Sequence, residues 1–266
     1  MEKKPFHAAY IDGLRAIAVL SVIVYHLNAS WLPGGFAGVD VFFVISGFVV
    51  AMSVSELRDI SLGRFLAYFY ARRLVRITPA LVVMLLATFV ASALFIPEAW
   101  LSSTNQRTGL WAFLGLSNFV LAADTGNYFS PIAEFNPFTH TWSLAVEEQF
   151  YLSFPWLFYM WLRGRKSLSR WIILAALVGS FVCAIWLGRA NQTYAFYMIW
   201  SRYWELAVGV LLFQFMAARG HRRRQAARPA KIIVAAHGHS FKDGSPYRRS
   251  YSAAVCTRGS PCWRRA

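Results

Sequence analysis

Residues 8–27 read AAYIDGLRAIAVLSVIVYHL, and this apolar stretch contains Arg15 and His26. A membrane-spanning helix needs about 20 predominantly apolar residues, so the stretch predicts a first transmembrane helix. An ionisable side chain at bilayer depth costs at least about 2.5 kcal/mol and commonly marks a functional site. Eleven residues nearly complete three helical turns, so Arg15 and His26 share one face, roughly 16 Å apart. In the alternative, structural interpretation, Asp12 holds Arg15 and His26 lies at the membrane interface.

The composition of the whole chain is that of an integral membrane protein. The 266 residues are 57% hydrophobic and 15% charged, whereas about 25% of residues are charged in soluble domains. Lys3 and Lys4 precede the first apolar stretch, but Asp12 and Arg15 interrupt it, which favours an uncleaved transmembrane helix over a removed signal peptide. The three cysteines lack zinc-type spacing, so neither a disulfide framework nor a metal site is predicted.

Six segments are long and apolar enough to cross a membrane. They are 9–29, 36–55, 78–97, 144–162, 171–188 and 196–216. Basic residues collect on the cytoplasmic side of membranes, and here they lie at the N-terminus, in 56–76, in 163–170 and after residue 216. These four regions share one side if the six segments cross and the shorter apolar run 110–123 does not. The sequence therefore predicts an all-α, multi-pass helical bundle with a cytoplasmic N-terminus and an outward-facing region 98–143.

Residues 217–266 form a basic tail of different character. The tail holds 12 Lys and Arg against one acid, Asp243, and so has a net charge of +11. It has no sustained apolar periodicity and is predicted to be disordered. It is either a genuine cytoplasmic tail or an out-of-frame translation, and its Arg, Ala, Gly and Pro content favours the second. We expect anionic membrane lipids to attract such a tail and predict no nucleic-acid partner.

Residues 38–48, GVDVFFVISGF, open the second apolar segment. Asp40 lies near its external end, in the same zone as His26. A carboxylate there could orient the imidazole and favour its protonated form. In the alternative interpretation, Asp40 is an acid at a helix start, where the helix dipole favours it, and Gly38 and Gly47 ease packing.

Residues 72–79, RRLVRITP, concentrate arginines at the cytoplasmic side. Arg73 and Arg76 are three residues apart and line one helical face. Guanidinium groups bind phosphate bidentately, so the cluster predicts a site for a phosphorylated ligand. Anchoring to lipid headgroups is the alternative. Pro79 is expected in the first turn of the third transmembrane helix.

Residues 140–151, HTWSLAVEEQFY, place acids at the start of an apolar segment. If this segment is helical, His140, Ser143 and Glu147 lie on one face, where they either bind a polar substrate or pair with an arginine of another helix. In the last apolar segment, Arg202 and Glu205 are three residues apart, a spacing that favours an ion pair between them.

Taken together and in this order, these segments resemble the membrane-bound acyltransferase-3 family, the bacterial O-acetyltransferases of peptidoglycan and other cell-surface polysaccharides. The resemblance covers about residues 8–216. It implies a bundle of about ten helices, of which six or seven are present here, in the bacterial inner membrane. It also implies transfer of an acyl group, usually acetyl, from cytoplasmic acyl-CoA to a hydroxyl of a carbohydrate or lipid-linked glycan. No bound cofactor is expected, since acyl-CoA is a substrate.

The resemblance also implies roles for single residues. His26 is the base or acyl relay, because a carbohydrate hydroxyl needs a base near pKa 7 to become a good nucleophile. The other catalytic residues are predicted to be Arg15, Asp40, Ser143 and Glu147. The acyl-CoA phosphates are expected at Arg72, Arg73 and Arg76. The substrate is expected at His140, Trp142, Glu148, Arg202 and Glu205.

The match to the family stops near Gln214, where the later helices are absent. Residues 1–216 are therefore expected to be a partial transmembrane domain, in a truncated or frame-shifted copy with little or no activity. The competing functional class is a transporter or flippase module, in which Arg15, His26 and Asp40 form a proton relay. An inverted repeat would favour transport, and the sequence shows no such symmetry.

Overall fold

The structure is a computed structural model, and it describes residues 9–57, 59–95, 103–124 and 136–237. These residues contain nine α-helices and no strand, which confirms the predicted all-α fold. The helices are α1 (Ala9–Leu27), α2 (Gly38–Val54), α3 (Leu62–Phe95), α4 (Ser103–Phe113), α5 (Ser117–Asp124), α6 (Thr141–Leu162), α7 (Lys166–Ala190), α8 (Gln192–Tyr197) and α9 (Ile199–His237).

The chain divides into two compact units, Met1–Arg219 and Gly220–Ala266, and all contacts reported below lie within the first. The described part of the second unit is helical, because α9 continues to His237. The sequence predicts an irregular tail from residue 217. Ala, Arg and Gln have high helix propensity, which accounts for the extra helical turns. Residues 238–266 lie outside the described part of the chain.

Four described helices are long and apolar enough to cross a membrane, namely α1, α2 with its preceding turn, α3 and α7. The predicted spans 144–162 and 196–216 correspond to α6 and to the first half of α9, which are long but fall short of the same hydropathy. Both helices carry acids that they bury within the bundle, Glu147 on α6 and Glu205 on α9. The six-span topology stays a prediction.

Helix α3 differs from its prediction in length. The sequence places a loop at 56–76 and a helix start at Pro79, whereas one helix runs from Leu62 to Phe95 with Pro79 inside it. Its 34 residues span about 51 Å, well beyond the roughly 30 Å hydrocarbon core. The arginine-rich first half is therefore helical, and α3 is longer than a single membrane span requires. An internal proline cannot donate to the carbonyl four residues back, a loss that transmembrane helices tolerate.

The apolar run 110–123 is divided between two short helices, α4 and α5. They are separated by a turn at Gly115, whose φ of 68° lies in the left-handed region that favours glycine. Helices of 11 and 8 residues are about 16 and 12 Å long. Neither can cross a membrane, in agreement with the prediction that this run does not.

Aromatic side chains of α6 form the centre of the described core. Phe150, Phe154 and Phe158 are four residues apart and fully buried along one face of the helix. They stack on one another with ring centroids 5.6 and 5.2 Å apart. Phe69 of α3 packs against Phe154 at 5.7 Å. This face of α6 is covered by α3 and α9, so α6 is the helix around which the others are arranged.

Glycines allow α2 and α9 to approach closely. A Cβ atom on Gly47 would overlap the carbonyl oxygen of Leu206, and one on Gly209 would overlap the carbonyl oxygen of Val44. On its opposite side α2 meets α1, where a Cβ on Gly38 would overlap Ser21. The packing role that the sequence offers Gly38 and Gly47 is therefore observed.

Substitution of Gly47 tests this close approach. In Gly47→Ala the new methyl group meets a backbone carbonyl that cannot rotate away, so α2 and α9 must separate. We expect a loss of about 1–3 kcal/mol in stability, measured as a lower Tm of the purified protein. Gly179→Ala on α7 is the matched control, because nothing lies within 4 Å of its added Cβ. Equal Tm values for the two variants would contradict the close contact.

Candidate active site

A cavity of about 380 Å³ lies between α1, α2, α3 and α6. This volume is within the range of small-molecule sites. Its polar walls are formed by Arg15, Ser46, Arg73, Arg76, Ser143, Glu147 and Tyr151. Its apolar walls include Phe42, Val49, Ile77, Leu81, Met84 and Leu144. We call it the arginine cavity, because three guanidinium groups share it with one carboxylate.

The antiparallel packing of α3 and α6 sets the length of the arginine cavity. At one end the Arg73 guanidinium lies 5.2 Å from the centre of the Tyr151 ring. At the other end His140 Nε2 lies 3.1 Å from the sulfur of Met84. Residues 73 and 84 are eleven apart, as are 140 and 151, so both helices present one face over three turns. The predicted common face of His140, Ser143 and Glu147 follows from this register.

Glu147 is the buried acid of the arginine cavity, with 7% of the residue exposed. Its Oε2 accepts a hydrogen bond from the Tyr151 hydroxyl at 3.3 Å. Its Oε1 is buried without a hydrogen-bond partner among the described residues, and so is the Ser46 hydroxyl. The guanidinium groups of Arg15 and Arg73 are close enough to attract the carboxylate. The charge of Glu147 is thus balanced within the cavity.

The arginines reach the cavity from two helices. Arg15 of α1 lies over the Phe42 ring at 4.9 Å, and its buried Nε has no hydrogen-bond partner among the described residues. Arg73 of α3 donates from Nη2 to the Ser53 hydroxyl at 3.1 Å. Arg76 lines the cavity one turn further along α3, as the three-residue spacing predicts. Arg72, which was predicted with them, lies outside the cavity and donates to the Tyr68 hydroxyl at 2.6 Å.

His26 lies outside the arginine cavity, exposed near the end of α1. Its Nδ1 is 2.9 Å from the Val22 carbonyl, and its ring packs edge-on against Tyr25. The expected partner Asp40 contacts Arg202 instead, at 2.7 Å. The pairing of Asp40 with His26 is therefore not observed, because a permanently charged guanidinium attracts a carboxylate more strongly than a neutral imidazole does. Because α1 is continuous from Arg15 to His26, the two residues lie on one face of the helix.

Arg202 joins two carboxylates from helices far apart in sequence. Its Nη1 donates to Asp40 Oδ1 of α2 at 2.7 Å and to Glu205 Oε1 of α9 at 2.8 Å. Its Nε donates to the Phe196 carbonyl at 3.1 Å. The predicted pair of Arg202 and Glu205 is confirmed, and Asp40 extends it to a three-residue bridge.

The remaining predicted substrate residues are dispersed. Trp142 is buried in the core, 4.6 Å from the Phe196 ring, with the Arg202 guanidinium 5.7 Å from its own ring. Glu148 points away from Glu147 and occupies the space beside Gly115. His140 lies at the end of the arginine cavity, and desolvation lowers its pKa, which favours the neutral ring. Within the described ranges, no three His, Cys, Asp or Glu side chains are grouped to hold a metal ion.

The structure thus gathers some of the predicted residues and separates others. The arginine cavity contains Arg15, Arg73, Arg76, Ser143 and Glu147. The residues outside its walls are His26, Asp40, Arg72, His140, Trp142, Glu148, Arg202 and Glu205. Sequence reasoning missed Ser46 and Tyr151 as cavity residues. The position of Tyr151, four residues after Glu147 and so on the same helical face, was the available signal.

The fold and the cavity define a helical membrane protein that buries guanidinium and carboxylate groups between its helices. The chain belongs to a family of acyltransferases, whose acyltransferase domain matches residues 8–238. It is 34% identical over 206 residues to the peptidoglycan O-acetyltransferase OatA of Listeria monocytogenes, covering 76% of this chain and 33% of that protein. It is 41% identical over 152 residues to the O-acetyltransferase OatA of Staphylococcus aureus, covering 57% of this chain and 24% of that protein.

The chain therefore spans about a third of the length of the first relative and a quarter of the second. No solved structure matches the chain significantly.

The three-residue bridge is tested by Arg202→Met. The substitution leaves Asp40 and the fully buried Glu205 without their shared cation, and breaking a buried pair in this way costs about 3–5 kcal/mol. We expect a marked fall in Tm, partly restored in the double variant Arg202→Met/Glu205→Gln. Arg170→Met is the control, because Arg170 is exposed and bonds within its own helix. A Tm unchanged by Arg202→Met would show that the bridge contributes little.

Proposed function

We propose that this chain acts as an integral membrane O-acyltransferase of the bacterial inner membrane. It would move an acyl group, most simply acetyl, from cytoplasmic acyl-CoA to a hydroxyl of a cell-envelope glycan. The observation that carries the proposal is the arginine cavity, with three guanidinium groups around one buried acid in a chain of an acyltransferase family. The relatives support the same reaction, since both are O-acetyltransferases and one is named for peptidoglycan.

The donor would bind in the arginine cavity. Arg15, Arg73 and Arg76 outnumber the single acid Glu147, so the cavity favours an anion. Guanidinium groups form charge-assisted hydrogen bonds with phosphate, which acyl-CoA carries at the end far from its thioester. On the predicted topology, Arg73 and Arg76 lie toward the cytoplasm, where acyl-CoA is made. The proposed donor and its proposed entry side are therefore consistent.

The acceptor hydroxyl would be activated by His26. Because Nδ1 faces the Val22 carbonyl at 2.9 Å, this hydrogen bond favours the tautomer with the proton on Nδ1. The other nitrogen, Nε2, then carries a free lone pair and can take the hydroxyl proton. A new C–O ester bond forms as the C–S thioester bond breaks, and the departing CoA thiolate receives the proton from the imidazole.

The long pantetheine arm of acyl-CoA would bridge the two parts of the site. Arg15 and His26 are separated by about 16 Å along α1, with the phosphate-binding guanidinium groups at one end and the base at the other. Glu147 and Ser143 of α6 line the arginine cavity beside Arg15. In this arrangement Arg15 binds the donor and positions it, while His26 is the catalytic residue.

Donor binding is tested by comparing neighbouring arginines of α3. Arg73→Gln and Arg76→Gln each remove a guanidinium from the cavity wall, and a hydrogen bond to a charged group contributes about 1.5–3 kcal/mol. We expect acetyl-CoA to bind roughly 10- to 100-fold more weakly, measured by titration calorimetry of the full chain in lipid nanodiscs.

Arg72→Gln is the matched control for this experiment, since Arg72 contacts Tyr68 outside the cavity. Equal weakening by all three substitutions would point to a general surface effect. Undisturbed binding in all three would place the donor elsewhere.

The catalytic step is tested by His26→Gln, which keeps a polar side chain but removes the base. Transfer of label from acetyl-CoA to glycan is measured in membranes, and His26→Gln is expected to abolish the transfer that the unmodified chain supports while keeping donor binding. A truncated copy, as expected from the sequence, would transfer little or no label even when unmodified. Asn28→Ala, a nearby exposed substitution, serves as the control. Unaltered acetylation combined with lost movement of substrate across the membrane would favour a transporter instead.

A further inference from the structure

A second cavity of about 390 Å³ lies between α7, α8 and α9. It shares no lining residue with the arginine cavity. Its polar and aromatic walls are formed by Gln192, Phe196, Ser201, Arg202, Trp204 and Glu205. Its remaining walls are small residues, Ala184 and Gly188 of α7 and Ala195 of α8. We call it the aromatic cavity.

The acid of the aromatic cavity, Glu205, contributes charge to the wall but has no surface that a ligand can reach. Glu205 is fully buried, and its Oε1 is held by Arg202 at 2.8 Å. Its Oε2 is buried without a hydrogen-bond partner among the described residues. At the rim, the exposed Gln192 amide supplies both a donor and an acceptor.

The aromatic cavity lacks the excess of positive charge that the arginine cavity has. Its one guanidinium, Arg202, is already shared between two carboxylates, Asp40 and Glu205. One cation against two acids disfavours a phosphate or any other anion. Acyl-CoA and anionic lipid headgroups are therefore poor ligands for it, and a neutral polar molecule is preferred.

The aromatic side chains narrow the choice among neutral ligands. Phe196 is 41% exposed, so part of its ring is open to a ligand. Trp204 lines the same cavity, with its ring edge-on to Phe181 at 5.3 Å. A sugar presents a C–H face, which packs on aromatic rings, and a rim of hydroxyls, which bond to guanidinium and amide groups. The aromatic cavity offers both kinds of surface within a volume typical of small-molecule sites.

The position of the aromatic cavity fits the same ligand. It lies where α7 ends and α9 begins, around the short helix α8. On the topology predicted from the basic segments, this end of the bundle faces outward. The acceptor glycan of the proposed reaction would approach from that side.

We infer that the aromatic cavity binds one neutral sugar ring of the acceptor glycan. This inference rests on the proposed function, because that function brings a glycan to the outer face. The bound ring is held by Arg202 and Gln192 and packs on Phe196 and Trp204. The cavity acts as a binding subsite, and the reacting hydroxyl belongs to another part of the glycan.

The test uses the full chain in lipid nanodiscs, without an acyl donor, and the soluble neutral trisaccharide tri-N-acetylchitotriose. Titration calorimetry is expected to show saturable binding. Gly188→Trp should abolish it, because Gly188 lines the cavity and its added Cβ meets nothing within 4 Å, so the indole can occupy the space of the ligand. Gly179→Trp is the matched control, since it adds the same side chain to an open position of the same helix.

A second pair of variants removes a polar contact. Gln192→Ala is expected to weaken trisaccharide binding by roughly tenfold, whereas Gln106→Ala, at an exposed position of α4, should leave it unchanged. Absence of binding to the unmodified chain would overturn the inference. Binding that survives Gly188→Trp, or that falls equally in Gly179→Trp, would also overturn it.

Donor binding and trisaccharide binding can each be lost without the other, so the sugar subsite and the proposed function are tested separately. Acetyl-CoA binding is measured on the same preparations, and Gly188→Trp is expected to leave it intact. A chain that binds acetyl-CoA but no trisaccharide contradicts the sugar subsite alone. A chain that binds the trisaccharide in the aromatic cavity but no acetyl-CoA contradicts the proposed donor while supporting the subsite.

Discussion

The shared guanidinium of Arg202 is the interaction on which the described bundle depends. It ties Asp40 of α2 to Glu205 of α9, across 162 residues of sequence. Three ionised side chains inside an apolar bundle are tolerated only when they are paired with one another. Gly47 and Gly209 allow the two helices to meet closely enough for this pairing, because neither presents a Cβ at the contact. Since α2 is also a wall of the arginine cavity, the bridge fixes that cavity as well.

The two cavities differ in their balance of charge, and the functional proposal depends on this difference. The arginine cavity holds three cations and one acid, whereas the aromatic cavity has one cation already shared by two acids. These different environments would by themselves direct an anionic donor to the arginine cavity and a neutral acceptor to the aromatic cavity. Helix α9 and its bridge to α2 separate the two environments, so that one structural contact contributes to both.

Much of the fold could be predicted from the sequence because apolar length and basic loops are strong signals in membrane proteins. The helical class, the failure of the run 110–123 to cross the membrane, and the packing role of Gly47 follow from residue types and spacing alone. The extent of α3 could not be predicted, because a proline next to an arginine cluster is typical of a helix start. Tertiary contacts of Phe65 and Phe69 with the aromatic face of α6 stabilise the earlier turns.

The candidate site was predictable where its residues belong to one helix and unpredictable where they belong to two. Arg73 with Arg76, and Ser143 with Glu147, share a helical face by spacing, and each pair lines the cavity. The partner of Asp40 was not predictable, since nothing local indicates that Arg202 lies opposite it. For the same reason Trp142, which suggested a substrate contact, is instead buried beneath Phe196 and Arg202.

The antiparallel register of α3 and α6 gives the arginine cavity a built-in direction. One end is cationic, with Arg73 over Tyr151, and the other has His140 beside Met84, where desolvation lowers the histidine pKa and favours the neutral ring. A long molecule with a negative head and a neutral tail therefore has very different energies in its two orientations. The polarity of the wall therefore favours one orientation of such a molecule along the cavity, before any bond is made or broken.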